Sequence, residues 1–78
     1  MKNSEQVMEQ AIAIAEDEVE FMFGDIIREG TEGIGTSDTN ICAKNIKQRC
    51  ARADIEVDDY TIRSLITNEM FEIENNIK

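Results

Sequence analysis

An all-α fold, a small three-helix bundle, is what this sequence predicts, and three observations predict it. Proline is absent and only four glycines occur among 78 residues, so little interrupts a helix. In three separate segments apolar residues recur at steps of three and four, which gathers them on one helical face. No segment carries a strand signal. The predicted order is a long N-terminal helix, a glycine-rich loop and two shorter helices joined by a turn, all in one domain over residues 1–78.

From Asn3 to Glu29, Met8, Ile12, Ala15, Val19, Met22 and Ile26 form the seam of the first helix. Ala11, Ile14, Phe21, Phe23 and Ile27 widen it, so this helix should meet more than one neighbour. Ser4 is placed to cap it, and Gly24, which costs about 1 kcal/mol relative to alanine in a helix, marks an alternative break. Residues 29–40, EGTEGIGTSDTN, hold three of the four glycines and then a run of capping side chains, which reads as a loop. Gly33-Ile34-Gly35 lacks the preceding strand, the third glycine and the Lys-Ser/Thr pair of a phosphate cradle, so no nucleotide site is expected there.

Ser37, Asp38 or Thr39 should cap a second helix reaching about Ala53, with Cys42, Ile46, Cys50 and Ala53 on one face. The residues DIEV then turn the chain, and Asp58 should cap a third helix from about Asp59 to Asn75. Val57 before that cap and Ile62 within the helix are spaced as a hydrophobic staple. Ile62, Ile66, Met70, Ile73 and Ile77 hold one side of this helix, broadened by Leu65.

A chain of this length typically buries only about 60% of the surface it exposes when unfolded, so a partner or a second copy would help it. No apolar run approaches the roughly 20 residues of a membrane span, and MKNSEQVMEQ has neither a cationic lead nor an apolar signal core. A cytoplasmic protein without membrane contact is expected. Cys42 and Cys50 are eight residues apart, roughly 12 Å along one helix, too far for a disulfide, and are expected to be reduced core residues. Histidine is absent, which removes the usual general base and the commonest transition-metal ligand. No enzyme activity, cofactor or metal is expected, a carboxylate site on Glu16 and Glu20 being the minor alternative.

Net charge is −9, and its distribution carries the functional information. Residues 1–40 hold 2 bases and 10 acids, whereas residues 41–53 hold 4 bases and no acid. Glu9, Glu16, Glu18 and Asp25 flank the first seam, so a parallel dimer through this helix would oppose like charges. The acids Glu9, Glu16, Asp17, Glu18 and Glu20 are the candidate protein-binding residues, since such a cluster steers toward a cationic partner. Alternatively these acids pair internally with Lys44, Lys47, Arg49 and Arg52.

Residues 43–66 resemble a helix-turn-helix of the winged-helix kind. Ile46 and Cys50, the turn ADIEV and the segment DDYTIRSLI carry the likeness. The resemblance implies a recognition helix from about Asp59 that presents Tyr60, Thr61, Arg63, Ser64 and Asn68 to a groove. It also implies phosphate contacts from Lys44, Lys47 and Arg49. Glu56, Asp58 and Asp59 at the start of that helix would repel phosphate, which ranks nucleic acid second. In size and charge the chain is similar to the small acidic inhibitor proteins of phages and mobile elements, including anti-CRISPR and DNA-mimic types. The leading expectation is therefore a helical interaction protein that binds and blocks a protein partner with a basic surface, a nucleic-acid-binding protein being the kind that suits it best. The alternative is a helix-turn-helix transcriptional regulator, and a third reading is a subunit of a larger assembly.

Overall fold

The computed structural model describes residues 4–30 and 33–77, and these form three helices with no strand among them. They are α1 (Ser4–Glu29), α2 (Thr36–Arg52) and α3 (Asp59–Asn75). Asn3, expected as the start of α1, and Thr31 and Glu32 of the expected loop lie outside the described residues. Ser4, expected as the cap of α1, is the first helical residue described. At about 1.5 Å per residue the 26 residues of α1 span roughly 39 Å, which sets the 43 Å long axis of the molecule.

Helix pairing fixes the topology. Met22 meets Asn45, and Asp17 and Glu18 meet Arg49, so residue numbers rise along α1 as they fall along α2. Arg63 reaches back to Asn40, and Thr39 borders Ile66 and Met70, so α3 runs against α2. Up-down-up order brings the C-terminal ends of α1 and α3 together, and α1 packs most extensively on α3.

The core is built from Ala11, Ala15, Val19 and Phe23 of α1, Cys42, Ala43, Ile46 and Cys50 of α2, Ile55 of the turn, and Ile62, Leu65, Ile66 and Ile73 of α3. The α1 members step by four residues and grow from methyl to phenyl, so side-chain bulk at the core increases along the helix. This corrects the expected seam at its N-terminal end. Ala11 is fully buried, whereas Met8 and Ile12 are 41% and 37% exposed, because close packing there admits a methyl group and turns the longer side chains outward. Phe21 and Phe23 also part: Phe23 is 2% exposed and Phe21 86%.

α1 does not break at Gly24. A Cβ there would lie 2.7 Å from Glu20 Oε1 and 3.0 Å from Arg28 Nη1, two side chains that bond one another above the glycine. The missing side chain lets residues eight apart on one helix meet. α1 ends on Gly30, whose φ of 63° is the left-handed conformation, with its N–H donated to the Ile26 carbonyl.

α2 begins earlier than expected, with Gly35 as its cap and Ser37, Asp38 and Thr39 already helical. Asp38 still serves the terminus, since its carboxylate accepts the Gly35 N–H at 3.4 Å. α2 closes in a Schellman motif: Asp54 takes the left-handed position at φ 61°, the Ile55 N–H bonds the Cys50 carbonyl at 2.8 Å, and the Asp54 N–H bonds Ala51 at 3.1 Å. Ile55 is thereby folded into the core beside Cys50. Asp58 caps α3 as expected, accepting the Thr61 N–H at 2.8 Å, with Val57 and Ile62 both in the apolar cluster. Ile77, expected on the α3 seam, lies past the helix end and is 42% exposed.

Candidate interaction surfaces

The acids of α1 fall into two groups. Asp17 and Glu18 both accept from Arg49 of α2, at 2.8 and 3.4 Å, and Glu20 is bonded by both terminal nitrogens of Arg28. The Arg28 hydrogen bond holds the Glu20 carboxyl below its ordinary range. Glu20 therefore spends its oxygens on Arg28, and the described residues contain no group of three metal-ligating side chains. Glu9 and Glu16 are exposed and, among the described residues, in no ion pair.

Glu5, a residue missing from the sequence-predicted set, completes the second group. Glu5, Glu9 and Glu16 stand at i, i+4 and i+11, nearly one line along the helix, with Ile12 inside that line and Met8 beside it. The i, i+4 spacing of Glu5 and Glu9 was the available signal. α3 adds what no sequence pattern announces. Glu69 is half-buried, and its carboxyl is pushed above the usual range by burial first and then by repulsion from Glu16 and Glu72. This edge of the α1–α3 face thus combines crowded carboxylates with exposed aliphatic carbon.

The four bases of α2 also divide. Arg49 turns inward to α1, while Lys44, Lys47 and Arg52 are exposed and in no ion pair among the described residues. Asn40, Lys44 and Lys47 share one helical face at i, i+4 and i+7. The Arg63 Nη2 to Asn40 Oδ1 bond of 2.9 Å brings α3 alongside α2 at Asn40. Tyr60, 81% exposed, lines a shallow groove there with Arg63, Ser64, Thr67 and Asn68. Arg63 also bonds Asp59 at 2.9 Å, which neutralises part of its charge. Thr61 is half-buried in the first turn of α3, where its N–H serves the Asp58 cap. Of the residues named for nucleic-acid contact, Lys44 and Lys47 are exposed on the α2 face that bears Asn40, Tyr60 and Arg63 line one groove of α3, Arg49 is paired with α1 and Thr61 is half-buried.

Neither cysteine offers reactive chemistry. Both are buried free thiols, and burial pushes Cys42 up to about 11 and raises Cys50 as well. No described helix is long and apolar enough to cross a membrane. Comparison with protein-family models, with curated proteins and with solved structures finds no match to this chain.

Proposed function

We propose that this protein is a small helical interaction module that occupies a basic surface on a protein partner through the outer stripe of α1 and the adjoining edge of α3. The observation that carries this reading is the line of exposed Glu5, Glu9 and Glu16 on α1, in no ion pair among the described residues and set beside the exposed Met8 and Ile12. Carboxylates held together without a described cation repel one another, and a lysine or arginine supplied by a partner relieves that repulsion as it binds. Met8 and Ile12 add apolar area at the same place, so association is not electrostatic alone. A nucleic-acid-binding protein offers the kind of cationic surface this arrangement suits. Action by occupancy would match the small acidic inhibitors that the chain is similar to in size and charge.

The test is affinity capture from cells that encode the protein, with proteins quantified by mass spectrometry. Glu9→Lys/Glu16→Lys should lose the basic partner. Asp25→Lys/Glu56→Lys makes the same change in net charge away from this stripe and should retain it. Equal loss with both pairs would mean that net charge, and not this stripe, governs capture.

A second reading, as a helix-turn-helix DNA reader, draws on exposed Lys44 and Lys47 on the α2 face that bears Asn40 and on the α3 groove lined by Tyr60 and Arg63. It predicts a low-salt mobility shift with DNA that Lys47→Ala/Arg63→Ala abolishes. Absence of a shift with the unmutated protein removes it.

A further inference from the structure

At the end of the bundle where α1 and α3 both terminate, Ile26, Ile27, Ile34, Met70 and Ile77 line an open cavity of about 550 Å³, with Glu74 at its wall. Gly30 and Gly33 border it, and a Cβ built on either meets nothing within 4 Å, so no side chain closes the cavity from those positions. Three sources of negative potential converge on it. Glu74 contributes its carboxylate, and two helix C-termini bring the negative ends of their dipoles. Cationic compensation is small among the described residues: α3 has no base in its last turn, where the Asn76 side-chain amide donates to the Glu72 carbonyl, and Arg28 of α1 is tied to Glu20.

An apolar cavity whose charged lining residue, among those described, is the acid Glu74, set between two helix C-termini, selects one kind of occupant. We infer that this cavity receives an aliphatic or aromatic side chain of the protein partner, from a segment in which that residue is flanked by lysine or arginine. The apolar side chain fills the space among the isoleucines and Met70, and the neighbouring cation meets Glu74 and the helix ends. An apolar segment flanked by acids is rejected by the same groups. This rests on the reading of the protein as a binder of basic proteins and deepens it by adding an anchor. The anchor lies eleven residues along α1 from Glu16, about 16 Å at the helical rise, within the span of an ordinary protein interface.

The experiment uses the full chain, labelled with 15N, and three synthetic peptides: a Leu/Phe-containing peptide flanked by Lys and Arg, its counterpart with Glu for each base, and its counterpart with Ser for Leu and Phe. The basic apolar peptide should shift amide signals around Ile27, Ile34, Met70 and Glu74, and the other two should not. Glu74→Lys, an exposed change, should weaken binding about tenfold, and Ile77→Asp should do so independently. Shifts confined to Glu5–Glu16, unaffected by either substitution, would overturn the anchor while leaving the α1 reading intact. Shifts at the cavity that appear on concentrating the protein alone would assign it to a second copy and overturn the proposal. Capture that survives Glu9→Lys/Glu16→Lys strikes the α1 reading and not the cavity, so the two failures are distinguishable.

Discussion

Phe21 and Phe23 stand two positions apart on α1, about 200° around the helix, and replacing each by alanine separates core from surface with little change in chemistry. Phe23 is 2% exposed and belongs to the apolar cluster of all three helices. Truncating a buried phenylalanine to alanine removes its transfer free energy and leaves a cavity, together about 3–5 kcal/mol. A domain of 78 residues has roughly 4–12 kcal/mol in total at 0.05–0.15 kcal/mol per residue, so Phe23→Ala removes a large share of it. In thermal unfolding followed by circular dichroism, each kcal/mol is worth about 4–8 °C at this size, which gives a fall of at least about 12 °C. Phe21 is 86% exposed, and its loss should stay within about 0.5 kcal/mol. If Phe23→Ala leaves no measurable transition, Phe23→Leu, which keeps most of the volume, should show a smaller fall of the same sign. A cost for Phe21→Ala equal to that for Phe23→Ala, or a Phe23→Ala fall below about 5 °C, would refute the packing of α1 described above.

Lowering the pH from neutral toward the ordinary glutamate range should raise the protein's Tm. Glu69 titrates above its unfolded value, so its ionised form opposes folding, a penalty present above the folded pKa and lost as pH falls below it; Glu69→Gln should raise Tm at neutral pH and flatten this dependence. Below about pH 4 the curve should turn down, because the Asp58 and Glu20 carboxyls are held below their ordinary values and stabilise only while ionised. Asp58→Ala leaves the Thr61 N–H without its cap and should lower Tm by about 4–8 °C, with Asp58→Ser recovering most of the loss. Cys42 and Cys50 should react with a thiol reagent at about pH 8 only as fast as the native protein opens, and at once in denaturant; rapid native reaction would contradict their burial.

Much of this fold is legible from periodicity and turn chemistry. The step of three and four that runs from Ile62 to Ile73 locates α3, and Val57, Asp58 and Ile62 announce its start. What escapes such reading depends on how closely helices approach. Hydrophobicity favours Met8 and Ile12 as seam residues over Ala11, but the tight packing of α1 admits only the smaller side chain. One long α1 is read correctly, but Gly24 leaves a break open as the alternative, because propensity knows nothing of Glu20 and Arg28 meeting over it. The end of α2 near Ala53 is read from the sequence, but Asp54 in the left-handed position is the rarer choice where glycine is the usual signal, so the Schellman form of that end is visible only in its hydrogen bonds. The surfaces follow the same rule. That acids and bases segregate along the chain, and that the α1 acids can pair with the α2 bases, is plain in the sequence, whereas the choice of Arg49 as the base that pairs with Asp17 and Glu18, and the half-burial of Glu69, require the packed bundle.

Whether the acidic edge of α1 is the binding face is tested most directly by mapping amide shifts of the labelled protein as the captured partner is added. The expected result is perturbation along Glu5–Glu16 of α1 and Leu65–Glu72 of α3, weakening as salt is raised. Perturbation centred instead on Lys44, Lys47 and Arg63, with the Glu5–Glu16 signals unmoved, would contradict it.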